Sequence, residues 1–194
     1  MKLFDESQMI RRKTADQAKF EEDLDLETIS ELVYESFEMY KEESSTRAPN
    51  FRNRNWASNT INSNIQGKMM SEYGDRVKFD NGRMYLQIGG YIVFFKKLGK
   101  DYRPQNVKTK NSEKLFHQMA LPMEEPTPIV WIGYRTDDIY SELTGVYALS
   151  FIGDDINWIS DLSKRDVPVK FEFKSNSDSD ISRVKVKKLK KKSS

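Results

Sequence analysis

Apolar residues along this chain recur with two different periods, and the switch between them divides it into a helical first third and a strand-rich remainder. Ile29, Leu32, Val33, Phe37 and Tyr40 follow the i, i+3, i+4 spacing of an amphipathic helix. Asp25 stands where an N-cap belongs, and acids crowd the first turn, so the pattern predicts a helix from Asp25 to about Glu43. A loop with Pro49 follows. Trp56 or Ala57, Ile61, Ile65 and Met69 then mark a second helix ending near Gly74. From Arg76 the period falls to two: Val77 and Phe79, then Met84, Leu86 and Ile88, with Asn81-Gly82 and Gly89-Gly90 supplying the positive-φ residues of tight hairpin turns. Arg76 to Leu98 therefore reads as a three-stranded antiparallel meander.

Beyond it lie a polar connection, a short helix expected around Ser112 to Met119, and three prolines between Leu121 and Pro128. Ile129 to Tyr134, Gly145 to Ile152 and Ile156 to Leu162 read as three more strands, the last two joined at Gly153-Asp154-Asp155. Asp137 to Leu143 reads as one or two helical turns with Asp137-Asp138 as cap. The fold class that follows is α+β: two N-terminal helices packed on a mainly antiparallel sheet of about six strands. Residues 1–24 are expected to be a flexible lead-in and 25–162 one domain. For 163–194 the expectation is an edge strand near Val167 to Lys174, then a disordered basic tail.

Strand Tyr91 to Lys97 is apolar on both faces, with Tyr91, Val93 and Phe95 on one and Ile92 and Phe94 on the other. Helices covering one face would leave the second for a protein partner, a homodimer included.

Composition narrows the chemistry. The 194 residues contain no cysteine, which excludes disulfides, thiolate nucleophiles and Cys-ligated metal sites and fits a reducing cytoplasm. His117 is the single histidine, so a two-histidine metal site is excluded as well. No apolar run reaches the roughly 18 residues that a spanning helix needs. The net charge of +2 conceals a strong polarity. Ten acids and one base lie between Glu21 and Glu43, whereas Ile181 to Ser194 carries seven bases and no acid. Without that tail the chain stands at −5, that is +2 less +7, so attraction to polyanions must come from local patches.

Two such patches are legible. Lys96, Lys97, Lys100, Arg103, Lys108 and Lys110 follow the third strand into a loop that holds Tyr102, while Arg52 and Arg54 lie between Phe51 and Trp56. Cationic groups capture phosphates through counterion release, and exposed rings offer bases a stacking surface. Arg52, Arg54, Lys96, Lys97, Arg103, Lys108 and Lys110 are accordingly the expected nucleic-acid-binding residues. The bland reading is that these lysines serve solubility and that Phe51 and Trp56 are core residues.

The residues Gly90-Tyr91-Ile92-Val93-Phe94-Phe95-Lys96-Lys97-Leu98, Arg103-Pro104-Gln105-Asn106-Val107 with Thr109, Trp131-Ile132-Gly133-Tyr134 and Asn157-Trp158 carry a resemblance. Across Phe51 to Leu162 the chain resembles a family of uncharacterised bacterial and prophage proteins encoded beside helix-turn-helix repressors and metallopeptidase regulators. The resemblance implies a mobile-element, regulatory, stress or defence context and brings no catalytic residue with it.

Together these readings predict a non-enzymatic binding or regulatory protein, without cofactor, that engages a protein partner and nucleic acid. The competing expectation is a metal-dependent nuclease or toxin. It would be built on Asp154, Asp155, Asp161 and the Glu172-Phe173-Lys174 pattern, since such chemistry needs clustered carboxylates and a lysine.

Overall fold

The computed structural model describes residues 10–11, 13–80, 83–105, 119–120 and 127–163. Helix α1 spans Gln17–Asp23, α2 Leu26–Thr46 and α3 Arg54–Tyr73. Two short strands, β1 (Ile10–Arg11) and β5 (Met119–Ala120), pair antiparallel with each other. The main sheet contains β2 (Val77–Asp80), β3 (Arg83–Ile88), β4 (Tyr91–Lys97), β6 (Ile129–Thr136), β7 (Leu143–Ile152) and β8 (Asp155–Asp161).

Its order is β2-β3-β4-β6-β7-β8, two antiparallel meanders laid side by side. Where they meet, β4 and β6 run parallel, with Val93 opposite Val130 and Lys97 opposite Tyr134. This is the α+β arrangement expected, with the helices N-terminal to a mostly antiparallel sheet.

Local chemistry accounts for the element ends. The Asp25 carboxylate accepts from Thr28 N at 3.0 Å and so caps α2; Asn53 does the same for α3 through Trp56 N at 2.8 Å. Gly74 ends α3 with φ +50. At the β3–β4 turn Gly89 and Gly90 have φ of +57 and +78, the pair of positive values that a two-residue hairpin loop needs.

The helices cover one face of the sheet. Ile29, Val33 and Phe37 of α2 and Ile61, Ile65 and Met69 of α3 pack with Val93 and Phe95 of β4, Val130 and Ile132 of β6, and Val146 and Ala148 of β7. The Ser30 hydroxyl donates to Leu162 O at 2.7 Å and ties α2 to the end of the sheet.

Three of the sequence expectations are changed by the structure. A helix, α1, forms inside the segment read as a lead-in. Asp16 caps it through Lys19 N at 2.9 Å, and Phe20 is wholly buried against Tyr91 and Trp158, with ring centroids 5.1 and 5.5 Å away. The second change concerns Asp137 to Leu143, which forms a turn rather than a helix and leads directly into β7. The third is the far face of the sheet, expected to offer a partner surface. Phe94, Ile129, Trp131, Leu149 and Phe151 on that face are all buried. The short helix expected at Ser112 to Met119, the edge strand at Val167 to Lys174, Asn81-Gly82 and the basic tail lie outside the described residues.

Candidate phosphate-binding cavity at the ends of β4 and β6

Parallel neighbours must each leave the sheet at the same end, and the two loops departing there frame a concavity, as they do at the carboxyl ends of strands in open α/β sheets. The loop after β4 is pinned by hydrogen bonds from Gly99 N to Arg103 O (2.8 Å), Tyr102 N to Gly99 O (3.2 Å) and Gln105 N to Lys97 O (2.9 Å). The loop after β6 closes through Asp137 N to Glu142 O (3.1 Å). Its Asp137 carboxylate also accepts from Ser141 N (2.7 Å), Ser141 Oγ (2.6 Å) and Glu142 N (3.1 Å). Burial acts to raise the Asp137 pKa, but these donors outweigh it and hold the carboxyl below its usual value.

Between the loops lies a cavity of about 560 Å³. Arg54 from the start of α3, Lys97 from β4, Lys100 and Tyr102 from the first loop, and Arg135 and Tyr140 from β6 and the second loop are in its lining. The cavity straddles the sheet end. Lys97 shares the helix-covered face with Val93 and Phe95, whereas Arg135 shares the far face with Trp131.

Tyr102 (φ +62) and Tyr140 (φ +60) are the positive-φ residues other than glycine among those described. An aromatic residue in the left-handed region costs roughly 1–2 kcal/mol, so something must hold each one there. Both side chains are buried. The Tyr140 hydroxyl shares a 2.7 Å hydrogen bond with Ser58 Oγ, and its ring lies 6.4 Å from that of Tyr40; Tyr102 packs edge-on to Tyr147 at 5.1 Å.

Each of these rings carries a cation on its face. Lys97 Nζ stands 3.6 Å from the Tyr140 centroid, and Arg135 Cζ stands 4.7 Å from that of Tyr102. The partnership is crossed: the cation at the end of one parallel strand sits on the tyrosine of the other strand's loop. Among the described residues, no carboxylate oxygen comes within ion-pairing distance of Arg54, Lys97, Lys100 or Arg135. The lining includes three acids, of which Asp137 and Asp161 accept hydrogen bonds from Ser141 and Ser163 respectively and Asp138 is exposed.

Of the residues predicted to bind nucleic acid, Arg54 and Lys97 reach the cavity. Lys96 points to the opposite face from Lys97. Burial there, with a further contribution from Arg83, pushes its pKa down. Arg52 donates to Arg47 O (2.6 Å) and Ser45 O (3.4 Å), closing the α2–α3 connection. Arg103 donates through Nη2 to Asp154 O at 2.5 Å, bracing the β7–β8 turn. Arg52, Lys96 and Arg103 therefore do not join Arg54 and Lys97 in the cavity lining. Lys108 and Lys110 lie outside the described residues.

Arg135 and Tyr140 were missed by sequence reasoning. A signal existed, since Lys97 and Arg135 are each followed five positions later by a tyrosine. Among the described residues the carboxylates of the nuclease expectation do not cluster. Asp155 and Asp161 occupy opposite ends of β8, roughly 20 Å apart at a strand's rise, and no group of three metal-ligating side chains occurs among the described residues. Glu172 lies outside those residues.

Comparison with protein-family models, with curated proteins and with solved structures gives no match to this chain. Among the described residues no helix is long and apolar enough to cross a membrane.

Proposed function

We propose that this chain is a non-enzymatic binding protein that holds nucleic acid by its phosphates in the cavity at the ends of β4 and β6. Its setting is the mobile-element or defence context that the family resemblance implies. The observation that carries the reading is the convergence of Arg54, Lys97, Lys100 and Arg135 on one concavity where, among the described residues, no carboxylate is paired to any of them. Cations left free of counter-charges are available to displace condensed ions from a phosphate backbone.

The geometry also narrows the mode. Tyr102 and Tyr140 are buried and give their ring faces to cations, so neither serves as an open platform for base stacking. Recognition by phosphate alone is tolerant of sequence. Because Phe94, Ile129, Trp131, Leu149 and Phe151 on the far sheet face are buried, nucleic acid is better supported than a protein partner seated on those side chains. The test is a titration of the intact chain against labelled single-stranded DNA and RNA at several salt concentrations, with and without magnesium. Salt-sensitive binding without cleavage is expected. Magnesium-dependent cleavage, or no binding by either nucleic acid, overturns the proposal.

A further inference from the structure

Resting on that reading, we infer that what enters the cavity is a terminal phosphate, the dianionic phosphomonoester of a strand end or of a free mononucleotide, rather than the interior of a strand. A chain interior needs a track along which successive phosphates are met. Among the described residues, the other cations expected to extend one stay outside the cavity. Arg52, Lys96 and Arg103 do not line the cavity, and Arg52 and Arg103 donate to backbone carbonyls. Among the described residues what remains is one compact cluster in about 560 Å³, a volume within the range that encloses small ligands.

The crossed clamps suit a doubly charged end group. Lys97 arrives from the helix-covered face and Arg135 from the far face, each steadied by a tyrosine ring held rigid in a left-handed turn. Two fixed cations on either side of one cavity match the two charges of a phosphomonoester, whereas an internal phosphodiester carries one. The Thr136 hydroxyl, also in the lining, is buried without a hydrogen-bond partner among the described residues, and a third phosphate oxygen would give it one.

The experiment uses the full chain and fluorescent 12-residue single strands of one sequence bearing a 5′-phosphate, a 3′-phosphate or hydroxyls at both ends. A mononucleotide, its nucleoside and inorganic phosphate serve as competitors. The expected result is at least tenfold tighter binding of a phosphate-ended strand than of the hydroxyl-ended one, with competition by the mononucleotide and none by the nucleoside. Lys97→Gln, Arg135→Gln and Thr136→Val, each checked by circular dichroism to be folded at the assay temperature, should each erase most of that preference. A mononucleotide that binds as tightly as the strand supports the inference and identifies free nucleotide as the source; a much weaker one supports it and identifies strand ends. Equal binding of all three strands overturns the inference and leaves the nucleic-acid reading standing. Failure of every strand to bind overturns both.

Discussion

Lys97 Nζ sits 3.6 Å above the ring centroid of Tyr140, a residue 43 positions later in the chain that the β6–β7 loop holds at φ +60. The contact joins the two halves of the sheet at their one parallel junction, and Arg135 over Tyr102 repeats it in the reverse sense. An aromatic residue is poorly suited to the left-handed region, so its presence in both loops reflects what surrounds it: buried ring packing, the Ser58 hydroxyl and the cation.

A double-mutant cycle on Lys97→Met and Tyr140→Leu should give a coupling energy of roughly 0.5–2 kcal/mol, since the lysine is half-buried rather than fully solvated. Denaturant melts of the four proteins measure it. Additive effects would show that the contact is geometric only. Tyr140→Phe keeps the ring and removes the 2.7 Å bond to Ser58, and should cost about 1 kcal/mol by itself.

The helices and strands were legible because their periods are sustained. Ile29 to Tyr40, Ile61 to Met69 and Met84 to Ile88 each repeat long enough to choose between 3.6 and 2. Helix α1 has seven residues with Phe20 as its buried residue, too short for any period to emerge. The crossing of the clamps was not legible at all. It depends on β4 and β6 being neighbours, and that adjacency comes from a crossover whose partner strands no local pattern names. Lys96 and Lys97 look equivalent in the sequence, yet the strand's alternation sends them to opposite faces and only one reaches the cavity.

Phe20→Ala should destabilise the fold by about 3–5 kcal/mol, because the ring is wholly buried between Tyr91 and Trp158. Deleting residues 1–24 should do at least as much harm, since it also removes Ala15 O, the acceptor for Trp158 Nε1 at 2.8 Å. Melting curves test both. A truncated chain as stable as the full one would return α1 to the status of a dispensable lead-in.

Asp137 sets the acid limit of the second loop. With its pKa below the ordinary 3.8 in the folded state, it contributes stability that is present above the unfolded value and is lost as pH falls through the folded one. Its carboxyl carbon, followed by NMR, should titrate with a midpoint below 3.8 in the folded protein. Asp137→Asn should loosen the loop at neutral pH and leave little further change on acidification. A midpoint at or above 3.8 would show that burial, which acts to raise it, outweighs the Ser141 and Glu142 donors.

Salt dependence separates the cations that line the cavity from those that merely lie near it in the sequence. Neutralising the two charges of a terminal phosphate implies that affinity falls roughly sevenfold for single strands between 50 and 200 mM salt, and each cation removed should flatten the logarithmic slope by somewhat less than one. Arg135→Ala and Lys97→Ala should show that flattening together with weaker binding. Lys96→Ala should leave the slope unchanged, because its side chain does not line the cavity and burial already disfavours its charge. Arg103→Ala should lower stability through the lost bond to Asp154 O while the slope of the folded protein stays the same. The contrast carries the force of the test: if Lys96 and Arg103 flattened the slope as much as Lys97 and Arg135, the ligand would be following a diffuse basic surface, and the cavity would have no special claim on it.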